Sequence, residues 1–424
     1  MSAHGWVRGG SVVIMLVALL IGGVAWLNQR GEQPLMAEGV AAPASSEEVA
    51  RGAYLARAGN CMGCHTERGG AAYAGGRGVP TPFGTVFAPN LTPDPTHGLG
   101  QWTPAEFWRA LHNGRARDGR LLYPAFPYPN YTRVSRADSD AIFAYLRSLP
   151  AVAQANREHT LTFPFDQQAA LAIWRALYFR AADNTAETPR GAYLVEALGH
   201  CNACHAARNA LGASASPLDL AGGLIPVQNW YAPSLASPLE AGVHDWSEEH
   251  IVELLRTGVS ARGAVMGPMS EVVGGSTQYL SEPDLRAMAG YLKALPQPAL
   301  SQTQGPVVPN ETATTGPGAK LYEHNCSGCH GERGEGVAGI YPALAGSRAV
   351  TLATPANLVH IVLEGGFPPV TTGNPRPFGM PPFATVLSND EIAQLLTHVR
   401  GSWGNHGSAV SALDVTKFRT LNMR

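Results

Sequence analysis

The sequence predicts a mainly α-helical chain of three tandem modules behind an amino-terminal membrane helix. Three observations carry that expectation. A Cys-x-x-Cys-His pentapeptide recurs three times, a helix–loop–helix plan repeats around each copy, and one unbroken apolar run lies near the start. The copies run from Cys61 to His65, Cys201 to His205 and Cys326 to His330, and they take up all six cysteines.

In chain order, residues 11–27 are continuously apolar and are extended by Trp6 and Val7. That approaches the roughly 20 residues a bilayer span requires. A cleaved signal peptide is the competing reading. The residues Trp26 to Arg30 make a poor cleavage site, although Val40 to Ala42 offers one farther on, so an uncleaved anchor is expected. Arg8 and Arg30 balance one another across the run, so charge gives no orientation.

Each module opens on a helix that runs into the pentapeptide: Arg51-Gly-Ala-Tyr-Leu, Arg190-Gly-Ala-Tyr-Leu and Gly318-Ala-Lys-Leu-Tyr. A loop rich in Gly and Pro follows, and then a short helix with apolar residues at helical spacing, at 104–111, 248–255 and 355–363. Trp102-Thr103-Pro104 and Trp246-Ser247-Glu248 read as matching helix starts with a hydroxyl N-cap. Amphipathic helices at 139–149, 283–295 and 390–399 close the modules, and strand signals are nearly absent. The expected organisation is an anchor and linker at 1–45, modules at 46–150, 187–299 and 317–404, and a packing segment at 151–186 that holds an apolar patch at 171–179. A linker at 300–316 and a tail at 405–424 without a clear period complete it.

Cysteines three apart lie on one side of a helical turn, so both thiols can add to the vinyl groups of one porphyrin while the adjacent histidine reaches the iron. The pentapeptides therefore point to three covalently held haems, with Cys61 and Cys64, Cys201 and Cys204, and Cys326 and Cys329 as attachment points. His65, His205 and His330 are the proximal ligands. Structural zinc needs two close Cys-x-x-Cys pairs, whereas these lie more than a hundred residues apart. A thioredoxin-like pair needs a βαβ setting that no copy shows. The net charge of −2 shows no basic stripe, which argues against nucleic-acid binding, and lysine occurs only at 293, 320 and 417.

A low-spin electron-transfer haem commonly pairs His with Met. The second ligand is expected on the loop before the closing helix, where Met269 stands in Gly267-Pro-Met-Ser and Met380 in Phe378-Gly-Met-Pro-Pro. Met266 lies close enough to compete with Met269, and Met288 reads as core. The first module has Phe126 at this place, in Leu122-Tyr-Pro-Ala-Phe-Pro-Tyr-Pro. Its iron is either five-coordinate or takes His112, His97 or a ligand from another subunit, so its distal ligand is unknown.

From about Glu48 to Asp414 the chain resembles the three-haem cytochrome c subunits of membrane-bound alcohol, aldehyde, gluconate and sorbitol dehydrogenases of acetic acid bacteria and their relatives. The stretches that carry the resemblance are Asn90-Leu-Thr-Pro-Asp-Pro, Leu122 to Pro129, Ile173-Trp-Arg, Asn229-Trp-Tyr-Ala-Pro-Ser-Leu, Gly267-Pro-Met-Ser-Glu-Val-Val, Ser276-Thr-Gln-Tyr and Arg400-Gly-Ser-Trp-Gly-Asn. It implies three tandem class I cytochrome c-like haem domains and carries the methionine positions onto Met269 and Met380. It further implies that electrons arrive from a catalytic subunit bearing pyrroloquinoline quinone, flavin or molybdopterin and leave to ubiquinone. The haem domains would face the periplasm from the bacterial inner membrane. Phe126 departs from the Tyr-Pro-Ala-Met-Pro-Tyr form of the alcohol dehydrogenase members and the amino-terminal span departs from members that resemble cleaved precursors, and both favour a molybdopterin aldehyde dehydrogenase with a small iron–sulfur subunit as partner. The rival classes are a peroxidase-type haem enzyme using the first haem and a free-standing carrier.

Overall fold

A computed structural model describes residues 3–32, 35, 44–183, 188–214, 219–298 and 316–421. The expected linker at 300–316 falls outside these residues up to 315, and the Val40 to Ala42 cleavage site falls outside them entirely. The chain divides into two compact units. The first is Met1–Leu55, Cys64–Glu187 and Ala210–Ala213; the second is Ala56–Gly63, Thr188–Asn209 and Ser214–Arg424.

The fold is mainly helical, and the periodic helices form where the apolar spacing predicted them. The short helices are Pro104–Asn113, Glu248–Thr257 and Ala356–Glu364; the closing helices are Arg136–Ser148, Glu282–Lys293 and Asn389–Gly401. Thr103 closes a capping box with Glu106, and Ser247 accepts from the His250 N–H. These bonds satisfy amides left over at a helix start, which is why a hydroxyl residue stands at each. Strands are more numerous than expected. Gly78–Thr81, Gly84–Phe87 and Thr160–Leu161 form an antiparallel sheet, and among the described residues two further pairs of two-residue strands occur, one of them Gly223–Leu224 with Tyr231–Ala232. They are too short to show a period of two in sequence.

The three leading helices cross the closing helices in the same way. An added Cβ on Gly52 would lie 2.5 Å from the Ala141 carbonyl carbon and 2.9 Å from Tyr145 Cβ. At Gly191 the distances are 2.7 Å to Ala287 and 2.9 Å to Tyr291, and at Gly318 they are 2.8 Å to Gln394 and 3.0 Å to His398. Only glycine permits so close a backbone approach. Flanking arginines pair with the third residue of the closing helix, Arg51 with Asp138 at 2.5 Å and Arg190 with Asp284 at 2.7 Å.

In the first unit the helix Ala3–Gln29 contains the apolar stretch Ser11–Gln29, whose side chains are almost wholly exposed. Its carboxyl end is docked. Asn28 Nδ2 donates to the Ala172 carbonyl at 2.8 Å, and buried Arg175 donates to Asn28 Oδ1 at 3.0 Å. Arg115 pairs with Glu32 at 2.9 Å. The patch at 171–179 thus packs on the end of the apolar helix through Gln168–Tyr178, leaving Ile173 and Leu177 outward.

The second unit contains both later pentapeptides. Asn357 exchanges two 2.8 Å hydrogen bonds with the Tyr231 backbone, and Arg348 pairs with Asp245 at 2.7 Å. The tail, which shows no clear period in sequence, forms the helix Ala412–Leu421. It is held by buried Val410 and Val415 and by Arg400, which donates to the carbonyls of Ser408 and Val350, each at 2.7 Å.

Candidate haem centres

Each pentapeptide lies on a short helix: Cys61–His65, Asn202–His205 just past Cys201, and Ser327–His330 just past Cys326. The leading helix of the second site passes through a π-helical stretch, Tyr193–Leu198, before it reaches Cys201. Burial pushes the Cys201 thiol up to about 12 and the Cys326 thiol up to about 11, so both are held neutral.

The histidines are held identically. His65 Nδ1 meets the Pro89 carbonyl at 2.8 Å, His205 Nδ1 the Pro233 carbonyl at 2.7 Å, and His330 Nδ1 the Pro342 carbonyl at 3.0 Å. A carbonyl can only accept, so Nδ1 carries the proton and Nε2 keeps its lone pair for a metal. Burial lowers the pKa of each ring, and the hydrogen bond to the carbonyl opposes that shift in part.

The strap that supplies the carbonyl is itself pinned three times over. The N–H groups of Gly75, Gly222 and Gly336 donate to the carbonyls of His65, His205 and His330, at 2.9, 2.9 and 2.8 Å. Leu91, Leu235 and Leu344 donate to carbonyls two residues before those glycines. The glycines adopt φ of 80°, 82° and 66°, and a Cβ on them would lie 2.6, 3.0 and 2.8 Å from the proline carbonyl carbons. Positive φ and contact with the strap both require glycine. Sequence reasoning missed these prolines because the working group is a backbone oxygen. Their signal was nevertheless present in Ala88-Pro-Asn-Leu, Ala232-Pro-Ser-Leu and Tyr341-Pro-Ala-Leu.

On the opposite loops, Met269 is the second residue of the helix Pro268–Gly275, which starts from Gly267 at φ 55°. Met380 exchanges backbone hydrogen bonds of 2.8 and 3.0 Å with Gly366 and packs against the core of the third module. The methyl group of Met266 points toward Gly366, and Met288 is buried as a core residue. In the first unit Phe126 packs against Tyr131, at 5.3 Å between ring centroids. His112 stacks on Trp108 at 4.5 Å and bonds the Thr132 backbone, its buried Nδ1 lacking a partner. His97 donates its backbone N–H to Asp94 at 2.6 Å. His159, not singled out from the sequence, stands against Tyr123. Its Nδ1 accepts from the Phe87 N–H at 3.1 Å, which places the proton of the neutral ring on Nε2.

Paired thiols on one helical face, beside an imidazole whose Nδ1 is committed and whose Nε2 is available, form the donor set for covalent haem. These residues define a c-type cytochrome. The family models agree: residues 49–150 match cytochrome c, and residues 313–399 match cytochrome c oxidase, cbb3-type, subunit III. The cytochrome c subunit of alcohol dehydrogenase (quinone) from Gluconacetobacter polyoxogenes is 40% identical over 398 residues, covering 89% of this chain and 85% of that protein. The gluconate 2-dehydrogenase cytochrome c subunit of Pantoea cypripedii is 38% identical over 393 residues, covering 88% and 89%. The fructose dehydrogenase cytochrome subunit of Gluconobacter japonicus is 33% identical over 445 residues, covering 96% and 89%. The chain belongs to this family of dehydrogenase cytochrome c subunits, electron-transfer proteins with covalently bound haem c.

Proposed function

We propose that the chain carries electrons from a separate catalytic dehydrogenase subunit through three covalent haems to ubiquinone, at the periplasmic face of the bacterial inner membrane. The observation that carries the reading is the threefold recurrence of one site: thiol pair, imidazole, proline carbonyl and pinning glycine. In this reading Cys61 and Cys64, Cys201 and Cys204, and Cys326 and Cys329 hold the porphyrins, and His65, His205 and His330 bind iron. Met269 and Met380 complete two of the sites. Bound haem supplies one-electron redox chemistry, with potentials set by the axial ligands and by burial. The protein's part is to hold Nε2 unprotonated, to keep water off the porphyrin faces and to fix the methionine loops. Ubiquinone takes up two electrons and two protons to become ubiquinol.

Membrane attachment is supported by Asn28 and Glu32, which tie the end of the apolar helix into the first unit. Cleavage after residue 42 would strip those partners from Arg175 and Arg115. The periplasmic orientation rests on haem attachment, which in bacteria takes place outside the cytoplasmic membrane.

For the partner, the names of the relatives support an alcohol dehydrogenase (quinone), a gluconate 2-dehydrogenase or a fructose dehydrogenase. Phe126 and the retained span support a molybdopterin aldehyde dehydrogenase with an iron–sulfur subunit. Gentle detergent extraction followed by cofactor analysis decides between them: pyrroloquinoline quinone, flavin and molybdenum are mutually exclusive outcomes. Co-purification of no large catalytic chain refutes a dehydrogenase subunit and leaves a free-standing carrier.

A peroxidase-type reading has one observation in its favour. The first module puts Phe126 where methionine is expected and ties His112 to the Thr132 backbone. Carbon monoxide or cyanide binding at one haem together with peroxide turnover supports it, and silence in both assays removes it.

A further inference from the structure

Trp230 and His360 stack face to face in the second unit, with ring centroids 5.0 Å apart and planes inclined by 16°. On one side of the stack, Trp230 opens the segment Trp230-Tyr-Ala-Pro, whose Pro233 carbonyl holds His205. The same indole covers Gly267, where an added Cβ would lie 2.8 Å from the ring, and Gly267 starts the helix that carries Met269. One side chain therefore bears on both the proximal strap and the base of the methionine loop.

On the other side, His360 is 1% exposed and belongs to the helix Ala356–Glu364. That helix runs directly into Gly366, whose N–H and carbonyl are both bonded to the Met380 backbone. Asn357 on the same helix clasps the Tyr231 backbone from both sides. Phe418 of the tail closes on the His360 ring edge-on at 5.1 Å. The imidazole meets Glu364 through Nδ1 at 3.4 Å, while its buried Nε2 lacks a partner. A buried polar atom without a partner costs stability, so what this ring contributes here is its face.

We propose that the Trp230–His360 stack is a positioning device that locks the Met269 and Met380 loops to each other, so that the closed state of each loop depends on the other. The proposal rests on the reading of both methionines as axial ligands. A loop held from one side only would respond to local changes alone. A loop held through a shared stack must loosen when the ring on either side is removed.

The test uses the detergent-solubilised ferric holoprotein, titrated with imidazole, which competes with methionine for the sixth position. Apparent affinity scales with the fraction of open loop. Trp230→Leu or His360→Leu is expected to raise it about tenfold at two haems per chain, beyond any site that already binds imidazole in the parent protein, a factor worth about 1.4 kcal/mol. The far-red methionine-to-iron charge-transfer band weakens in parallel. Trp230→Phe and His360→Phe keep a ring face and are expected to restore parent behaviour. If either leucine variant loses haem, His360→Gln, which drops the ring at smaller cost in volume, carries the same expectation. A response at one haem only, a response at neither, or phenylalanine variants as loose as the leucine ones overturns the proposal. Absence of the charge-transfer band from the parent protein instead removes the axial assignment on which the proposal stands.

Discussion

Substituting Gly191 by alanine sets a gain in helix propensity against a steric cost, and the geometry decides the sign. The gain is at most about 1 kcal/mol. The added Cβ would stand 2.7 Å from the Ala287 carbonyl carbon and 2.9 Å from Tyr291 Cβ, with the Ala287 oxygen nearer still. Carbon contacts settle at about 3.5–4.0 Å, so the two helices must part by roughly 1 Å. Overpacking costs about 1–3 kcal/mol, and the upper end applies because the obstacle is backbone. The net loss is about 2 kcal/mol, or a melting temperature lower by about 4–8 °C for a unit of this size. Gly290 provides the control on the same closing helix. No atom lies within 4 Å of an added Cβ there, so alanine is expected to raise the melting temperature by about 1–4 °C. Calorimetry or far-ultraviolet dichroism of the two variants side by side is the assay. A Gly191→Ala protein that melts at or above the parent temperature refutes the close crossing of these helices.

Arg400→Met leaves the Val350 and Ser408 carbonyls without their donor, and should cost about 2–4 kcal/mol while exposing the tail helix to limited proteolysis. His65, His205 and His330 all have pKa values below the ordinary 6.5 because burial disfavours the imidazolium. In the haem-free chain their contribution to stability is therefore complete above pH 6.5 and is lost as pH falls through the lowered values; an acid denaturation series of that chain followed by far-ultraviolet dichroism should show no loss from these groups on the alkaline side of 6.5. Met380→Ala is expected to leave one haem open to carbon monoxide and to remove one methionine's share of the charge-transfer band, which an optical titration reads directly. Intact-mass analysis should find residues 1–32 retained together with three tetrapyrroles, and a chain starting after residue 42 would contradict the role given to Asn28.

The pentapeptides were legible because their chemistry is local: thiols at i and i+3 and an adjacent imidazole share one helical turn whatever surrounds them. The short and closing helices were legible for a related reason, since their apolar spacing and their hydroxyl caps act within a few residues. Met269 and Met380 stood out as the sulfur-bearing residues on loops before the closing helices. The tail beyond Trp403 was not legible. Its helix depends on Arg400 and on burial against the third module rather than on its own periodicity.

What the amino-acid order determined by itself was therefore the inventory: three thiol pairs each with an adjacent imidazole, amphipathic helices and an apolar span. Folding in three dimensions decided which backbone carbonyl orients each histidine, how closely the leading helices approach the closing ones, and that Tyr231 meets Asn357, 126 residues away. Backbone oxygens and ring faces are common to nearly every stretch of chain. Only their placement by distant packing makes particular ones matter, and placement of that kind leaves no local mark in sequence.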